Sequence, residues 1–167
     1  MLELRDLPDT HILEKFADRY PDADIEQVMQ FLTFLHVATD ISHGLDRYLG
    51  SHALLQGRWW VLILLMREDD GCSSPSKLAE KAGVSRATMT GLIDGLERDK
   101  LVSRMVSKTD RRQTLVKLTT EGQAKLDEVM PDYYRRLKQM MSVLTHKEGE
   151  ILMTILMKLS RQTGVFD

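Results

Sequence analysis

Apolar residues recur at helical spacing over residues 78–96, on either side of one short break. Gly83 lies in that break, where a turn with positive φ favours glycine. Ser85 follows it and can cap a second helix by accepting a hydrogen bond from the backbone N–H of Ala87 or Thr88. The pattern therefore predicts a helix-turn-helix. Its apolar residues are Leu78, Ala79, Ala82, Met89, Leu92, Ile93 and Leu96.

The second predicted helix keeps one face free of large apolar side chains. Glycines at exposed helix positions, such as Gly91 and Gly95, each cost about 1 kcal/mol relative to alanine, and close approach of another molecule would explain them. In a DNA-reading helix-turn-helix, the start of this helix meets base edges in the major groove. An ordinary solvated face is the alternative. We predict DNA contacts from Ser85, Arg86, Ala87, Thr88, Thr90 and Gly91, beside an outward-facing Asp94.

Residues 101–118 form two β-favouring runs around a basic loop at residues 108–112. This pattern predicts a β-hairpin with a basic tip, known as a wing. Arginine at such a tip can enter the minor groove, where negative potential is concentrated. Asp110 is expected to hold Arg111 or Arg112 in place by a charge-assisted hydrogen bond. These three residues complete the predicted DNA contacts.

Together these segments resemble the MarR family of bacterial transcription regulators. The resemblance implies a mainly α fold with a small β-hairpin wing, in which a winged helix-turn-helix is joined to a helical dimerisation region. It also implies a regulator and not an enzyme, and the sequence has no HExxH, P-loop, GxSxG or dinucleotide fingerprint. Gly91 and Gly95 depart from the family, since many members carry long polar or basic side chains there. The residues that carry the resemblance are Leu78-Ala79, Gly83-Val84-Ser85, Met89-Thr90, Leu92 to Glu97, Leu101-Val102, Asp110-Arg111-Arg112 and Leu118 to Gly122.

Three helical patterns precede the helix-turn-helix. Residues 10–18 predict a short helix, and Asp24 with Gln27 begins a long helix that ends near Leu49. Residues 54–69 predict the third, in which two adjacent tryptophans cannot both face one core, so that one is a candidate pocket wall or interface anchor. We expect the apolar stripe of the long helix to face the core. It consists of Ile25, Val28, Met29, Leu32, Leu35, Ala38, Ser42, Leu45 and Leu49.

Two more helices are predicted after the hairpin. Thr119 or Thr120 begins the first, and Thr120 can form a capping box with Gln123. This helix should continue through Pro131 to about Leu144, because the apolar positions stay in phase across the proline.

The last predicted helix begins at a capping box between Thr145 and Glu148, and it is apolar on more than one side. A surface helix of a monomer needs only one buried stripe, so the excess predicts a homodimer. Two symmetric recognition helices would then read a roughly palindromic double-stranded DNA operator. We divide the chain into residues 1–53 (N-terminal extension and first long helix, dimerisation), 54–118 (DNA-binding lobe) and 119–167 (C-terminal helices, dimerisation).

A polar strip on the long helix contains His36, Asp40 and His43 at intervals of four and three residues. A solvated or dimer-facing strip is one interpretation of this pattern. A metal site is another, since two histidines and an aspartate are suitable zinc ligands, in a metal-responsive regulator or a metal-dependent protein. The family resemblance implies a third, an effector pocket walled by this helix together with Arg58 and Trp59. Such a pocket would suit a small aromatic or anionic effector that modulates operator binding, usually of a repressor.

Charge is unevenly distributed along the chain. The whole sequence carries a formal charge of −2, but residues 77–117 hold ten basic and five acidic side chains, a surplus of five positive charges. The surplus coincides with the predicted helix-turn-helix and wing, where binding to phosphates requires it.

Cys72 is the only cysteine, which excludes a disulfide framework within the chain and a cluster of several cysteines around a metal. It lies in a predicted turn, where we expect a structural, unreactive thiol. We expect no cofactor. The longest apolar run, residues 59–66, is too short to span a bilayer, and no signal peptide is visible at the start. These features predict a cytoplasmic protein without membrane contact.

Overall fold

A computed structural model describes residues 8–106 and 112–166. The fold is mainly helical, as the sequence predicts, and the predicted hairpin is part of a small three-stranded antiparallel sheet. The helices are α1 (Thr10–Arg19), α2 (Ile25–Ser51), α3 (Gln56–Met66), α4 (Pro75–Ala82), α5 (Arg86–Arg98), α6 (Thr120–Met141) and α7 (His146–Ser160), followed by a 3-10 turn (Thr163–Phe166). The strands are β1 (Cys72–Ser73), β2 (Val102–Val106) and β3 (Thr114–Leu118).

The chain forms two compact units, which meet in sequence between Leu118 and Thr119. The first unit contains α1 to α5 and the sheet, and the second contains α6 and α7. The division of the chain into three functional parts stays a prediction. No helix in the described ranges is long and apolar enough to cross a membrane.

Local capping chemistry explains where most helices begin. The Asp24 carboxylate accepts from the backbone N–H of Gln27 at 3.0 Å, and the Gln27 amide donates back to it at 2.8 Å. At α7, the Thr145 hydroxyl and the Glu148 side chain exchange hydrogen bonds with each other's backbone N–H in a full capping box. These N-terminal boundaries confirm the predictions.

The predicted capping box of α6 is wrong. Thr119 is the N-cap, with extended backbone and a side chain that accepts from the N–H of Gly122 at 3.0 Å. Thr120 is already helical, so it cannot cap. β3 ends at Leu118, so the first residue after the strand keeps the extended conformation that a cap requires. The helix does run through Pro131, as predicted, but it ends at Met141 and not near Leu144.

The first turn of α3 begins two residues later than predicted. The N–H of Leu54 donates to the carbonyl of Leu49 at 3.0 Å, and therefore closes the end of α2 and does not start α3. Its side chain is nevertheless buried. The helix ends at Met66, short of the predicted residue 69.

The sheet has the strand order β1-β3-β2, with Cys72 opposite Lys117 and Val102 opposite Leu118. The β2–β3 hairpin confirms the predicted wing strands. The strand β1 was predicted as a turn, because two residues are too short to show a strand period.

One apolar core fills the first unit, where α3, α4, α5 and the sheet meet. Its fully buried large side chains include Leu49, Trp59, Leu62, Leu65, Leu78, Met89, Ile93, Leu96, Val102 and Val116.

The expectation that the α2 stripe faces the core is wrong for the single chain. Only Leu49 at its end is buried, and Leu35 is 45% exposed. Helical period identifies an apolar face, but it does not show whether the same chain covers that face.

Candidate nucleic-acid interface

The turn between α4 and α5 has the geometry that a helix-turn-helix requires. Ser74 caps α4 by accepting from the N–H of Lys77 at 3.3 Å, with Pro75 at the first helical position. Gly83 ends the helix with a φ of +64°, a left-handed conformation that favours glycine. The chain reverses there within three residues and begins α5 at Arg86.

Ser85 sets the start of α5. Its hydroxyl accepts from the N–H of Thr88 at 3.1 Å and lies 2.9 Å from the Thr88 hydroxyl. This is one of the two capping partners expected from the sequence. Because the Ser85 oxygen is engaged by the cap, its primary role is to orient the first turn of the helix.

The inner and outer faces of α5 separate as the period predicts. Met89, Ile93 and Leu96 are fully buried. All the residues predicted to touch DNA from this helix are exposed, and Arg86 forms no ion pair within the part of the chain that the structure describes. The Thr90 hydroxyl donates to the carbonyl of Arg86 at 2.9 Å, so its oxygen presents lone pairs outward as an acceptor. The exposed set is Ser85, Arg86, Ala87, Thr88, Thr90 and Gly91.

The two glycines of α5 have different environments. A Cβ built on Gly91 would meet nothing within 4 Å, and the residue is exposed. Gly95 is buried, and a Cβ there would lie 2.5 Å from the Arg58 Cζ. The prediction that Gly95 faces outward is therefore wrong, because α3 and not an outside molecule approaches it. Close approach to another molecule remains an explanation for Gly91 alone.

The wing is tied to α5 by a residue that sequence reasoning counted only as a positive charge. The Arg104 guanidinium on β2 pairs with the carboxylates of both Asp94 and Glu97, and its backbone N–H donates to Glu97 at 3.2 Å. The hydrogen bond to Asp94, and then the charge of Glu97, raise the pKa of the Arg104 guanidinium above its ordinary value. The position of the charged Arg104 within a predicted strand was the sequence feature that could have indicated these ion pairs.

Three of the predicted contacts belong to the loop that the sequence predicts as the tip of the wing. Asp110 and Arg111 lie outside the described residues, as does any hydrogen bond between them. Arg112 is described and exposed at the start of the return to β3.

Part of the positive surplus is compensated inside the lobe. The Glu68 carboxylate pairs with Lys77 at 3.1 Å and with Lys81. Hydrogen bonds from Lys81 and then Lys77 lower the pKa of Glu68. Lys77, Lys81 and Arg104 therefore form ion pairs between elements, whereas Arg86 is exposed on α5 and has no ion pair among the described residues.

The residues predicted to line the effector pocket contact different partners. His36 and Asp40 lie 3.4 Å apart on one helix face, whereas Arg58 donates to Asp99 at 2.8 Å. Trp59 is fully buried and its neighbour Trp60 is 41% exposed, which confirms that the two tryptophans do not share one core. With His43 half-buried on α2, the assignment of these residues to an effector pocket stays a prediction.

Metal-ligating side chains do not cluster. Within residues 8–106 and 112–166, no three His, Cys, Asp or Glu side chains are placed to hold a metal ion. The metal-dependent alternative built on His36, Asp40 and His43 therefore has no support from the structure.

Comparison with known sequences identifies related proteins over the whole chain. A family model described as the MarR family matches residues 58–114. The HTH-type transcriptional repressor YetL of Bacillus subtilis strain 168 is 31% identical over 165 residues, which cover 99% of each chain.

Two solved structures share the fold. Sco3205, a MarR family transcriptional regulator from Streptomyces coelicolor crystallised in complex with DNA, aligns with a TM-score of 0.77 at 22% identity, over 84% of this chain and 89% of its own. The organohalide-sensing regulator RdhR-CbdbA1625, in its 2,4-dichlorophenol-bound form, aligns with a TM-score of 0.73 at 20% identity, over 98% of this chain and 90% of its own. At these identities the likeness establishes the fold alone.

Proposed function

The chain belongs to the MarR family of transcriptional regulators, and from that membership we propose that it is a homodimeric repressor. Each subunit inserts the start of α5 into the major groove of a roughly palindromic operator and places the wing against the adjacent minor groove. A small aromatic or anionic effector modulates this binding. As a transcription regulator the protein is not an enzyme.

The exposed N-terminal face of α5 is the observation that carries the proposal. It combines short side chains, which permit close approach, with an exposed Arg86 that has no ion pair among the described residues and can pair with guanine or a phosphate. The structural neighbour Sco3205 was crystallised with DNA, which supports the same use of this fold here.

The dimer is supported by apolar surface that the single chain leaves open. Helix α7 has no buried residue, and five of its large apolar side chains are about half exposed: Ile151, Met153, Ile155, Met157 and Leu159. An open groove of about 760 Å³ lies where α6 and α7 meet, lined in part by Met141, Leu144 and Met153. Monomeric proteins rarely leave contiguous apolar surface of this kind in water, so a second copy covers it.

Effector control is supported by the ligand-bound relative, whose structure holds 2,4-dichlorophenol. An effector can change DNA affinity only if it binds the DNA-competent and DNA-incompetent conformations with different affinity. We assign its site to His36, Asp40, His43, Arg58 and Trp59. We propose repression because the relative YetL, which matches over nearly the whole chain, is a transcriptional repressor.

The decisive test measures DNA binding by variants of the two arginines that approach the duplex. The probe is the DNA that the wild-type protein enriches from a pool of random duplexes. Arg86→Ala and Arg111→Ala should each weaken binding about tenfold or more, as loss of a base or phosphate contact does. Arg67→Ala is the matched control, because it removes an exposed arginine from the end of α3, outside the interface. If both variants bind as tightly as the wild type, the DNA-binding mechanism is wrong.

A further inference from the structure

Helices α3 and α5 pack against each other at two glycines. Gly57 of α3 faces α5, and Gly95 of α5 faces α3. A Cβ built on Gly57 of α3 would lie 3.0 Å from the Leu92 Cδ2 of α5. A Cβ built on Gly95 of α5 would lie 2.5 Å from the Cζ and 2.6 Å from the Nε of Arg58 on α3. Each helix therefore accommodates a large side chain of the other at the position of its own glycine. We call these four residues the α3–α5 interlock.

The Arg58 guanidinium also bonds the end of the recognition helix. Its Nη1 donates to the Asp99 carboxylate at 2.8 Å, and Asp99 is the C-cap residue of α5. Only about a fifth of the Arg58 side chain is exposed. One side chain of α3 thus contacts α5 at two points, the backbone of Gly95 and the carboxylate one turn further along.

This contact supplies what apolar packing on the inner face of α5 does not. Met89, Ile93 and Leu96 are buried by non-directional contacts, which tolerate small sliding and rotation of the helix. A planar guanidinium held between a glycine backbone and a carboxylate has one preferred geometry. It therefore fixes the rotation and the axial position of α5 from the end opposite to the proposed DNA contacts. A displacement of about 1 Å at a binding group is enough to weaken recognition severely.

We propose that Arg58 is a positioning residue for DNA recognition, and that Gly95 is glycine because the Arg58 guanidinium occupies the space of its Cβ. This inference rests on the proposed function of α5 as the recognition helix. Arg58 acts through α5 and touches no DNA.

Gly95→Ala tests the proposal without changing charge. The added Cβ should displace the guanidinium and break its bond to Asp99, while alanine is the better helix former. We expect a melting temperature within about 3 °C of the wild type. Affinity for the duplex that the wild type selects should fall at least tenfold, and affinity for a scrambled duplex of equal composition should hardly change.

Arg58→Ala and the double variant complete the experiment. Both single changes act by removing the guanidinium from Gly95, so the double variant should lose no more affinity than Arg58→Ala alone. The slope of log affinity against log salt should stay at its wild-type value, because no phosphate contact is lost. Arg67→Ala, which removes an exposed charge from the same helix, is the control for net charge.

Three results would overturn the inference. The first is wild-type affinity and discrimination in Gly95→Ala. The second is a loss of affinity that tracks a fall in melting temperature, which would make the role purely structural. The third is a reduced salt slope in Arg58→Ala, which would make Arg58 a phosphate contact. If the wild-type protein itself enriches no duplex, the proposed function is wrong. The variants test only the role of Arg58, so the two failures can be told apart.

Discussion

Two residues other than glycine adopt the left-handed backbone conformation at the ends of helices. Ala53 has a φ of 56° after α2, and Lys100 has a φ of 60° after α5. At both ends the surrounding hydrogen bonds have the pattern of a Schellman cap, as in the bond from the N–H of Leu54 to the carbonyl of Leu49. A Cβ in this conformation costs roughly 1 kcal/mol or more, a cost that glycine avoids.

Ala53→Gly should therefore stabilise the fold by about 0.5–1 kcal/mol, since relief of the left-handed strain exceeds the entropy that glycine adds to the unfolded chain. Gly83→Ala, at a φ of +64°, is the matched reversal and should destabilise by a similar amount. Urea unfolding of both variants at one fixed protein concentration measures the difference. Destabilisation by Ala53→Gly would show that the methyl group contributes packing that outweighs its strain.

The buried hydroxyl of Ser73 makes a second residue-scale prediction. Ser73 in β1 is only 4% exposed, and its Oγ has no hydrogen-bond partner among the described residues. Removing an unsatisfied buried polar group is neutral or favourable, so Ser73→Ala should stabilise by up to about 1 kcal/mol. Ser103→Ala, at an exposed position of the neighbouring strand β2, should leave stability unchanged. A clear loss of stability in Ser73→Ala would mean that the hydroxyl is hydrogen-bonded in solution.

What could be predicted for single residues depended on how far along the chain their partners lie. The caps formed by Asp24, Ser74 and Ser85 act over three residues, and the sequence pattern identifies them. The bond from Arg58 to Asp99 joins residues 41 positions apart. No periodicity marks such a pair, so the sequence did not reveal the contact of Arg58 with α5, and Gly95 was assigned to an outside surface.

At the scale of elements, the start of α7 makes stability depend on pH. Hydrogen bonds from the Thr145 hydroxyl and then from its backbone N–H lower the pKa of Glu148 below 4.5. A carboxylate whose pKa is lower in the folded state contributes stability above its unfolded pKa, and that contribution is lost as the pH falls through the folded value.

Glu148→Gln should therefore remove one acid-sensitive step below about pH 4.5 while keeping a side chain that can accept the backbone bond of the capping box. Thermal unfolding of wild type and variant between pH 7 and pH 3 measures this. The melting temperatures of the two proteins should converge as the pH falls. Glu150→Gln, on the same helix and exposed, serves as the comparison. Parallel pH profiles for Glu148→Gln and the wild type would contradict the role of the box.

Element types were predictable where a period is long enough to be read, as in α5 and α7. The strand β1 has two residues, too few for any period, and it exists because Cys72 and Ser73 pair with β3 from a distance in sequence. The start of α3 shifted because the backbone N–H of Leu54 closes the end of α2. Helix α6 is capped by Thr119, one of the two predicted caps, and differs from the prediction at its C-terminal end. The α2 stripe was identified correctly as apolar, but among the described residues only Leu49 at its end is buried, since period carries no information about what covers a face.

At the scale of the whole molecule, basic residues and exposed apolar residues are concentrated in different parts of the chain. Acidic residues predominate outside residues 77–117, and the basic surplus lies on the lobe that carries α5 and the wing. Apolar residues, by contrast, lie open on α2 and α7, with Phe31 at 46% and Ile155 at 48% exposure. Proposed binding to phosphates and proposed binding to a second copy therefore occupy different parts of the chain.

Disruption of α7 gives the corresponding prediction. Replacing both Ile151 and Ile155 with glutamate puts two charges on a surface that a second copy would cover, and burying unpaired charges is costly. The variant should sediment as a monomer at concentrations where the wild type is a dimer. Its DNA affinity should fall steeply, because a monomer engages one half-site and loses the effective concentration that the second subunit supplies.

The control for added charge is Gln162→Glu, just beyond the end of α7 at an exposed position. It should sediment as the wild type does. Far-ultraviolet circular dichroism separates dissociation from unfolding, since the two glutamates replace half-exposed residues and should leave helix content intact. A folded double variant that remains dimeric would show that α7 is not the dimer surface. A folded monomer with wild-type DNA affinity would show that one subunit suffices, and the palindromic operator would then have no structural basis.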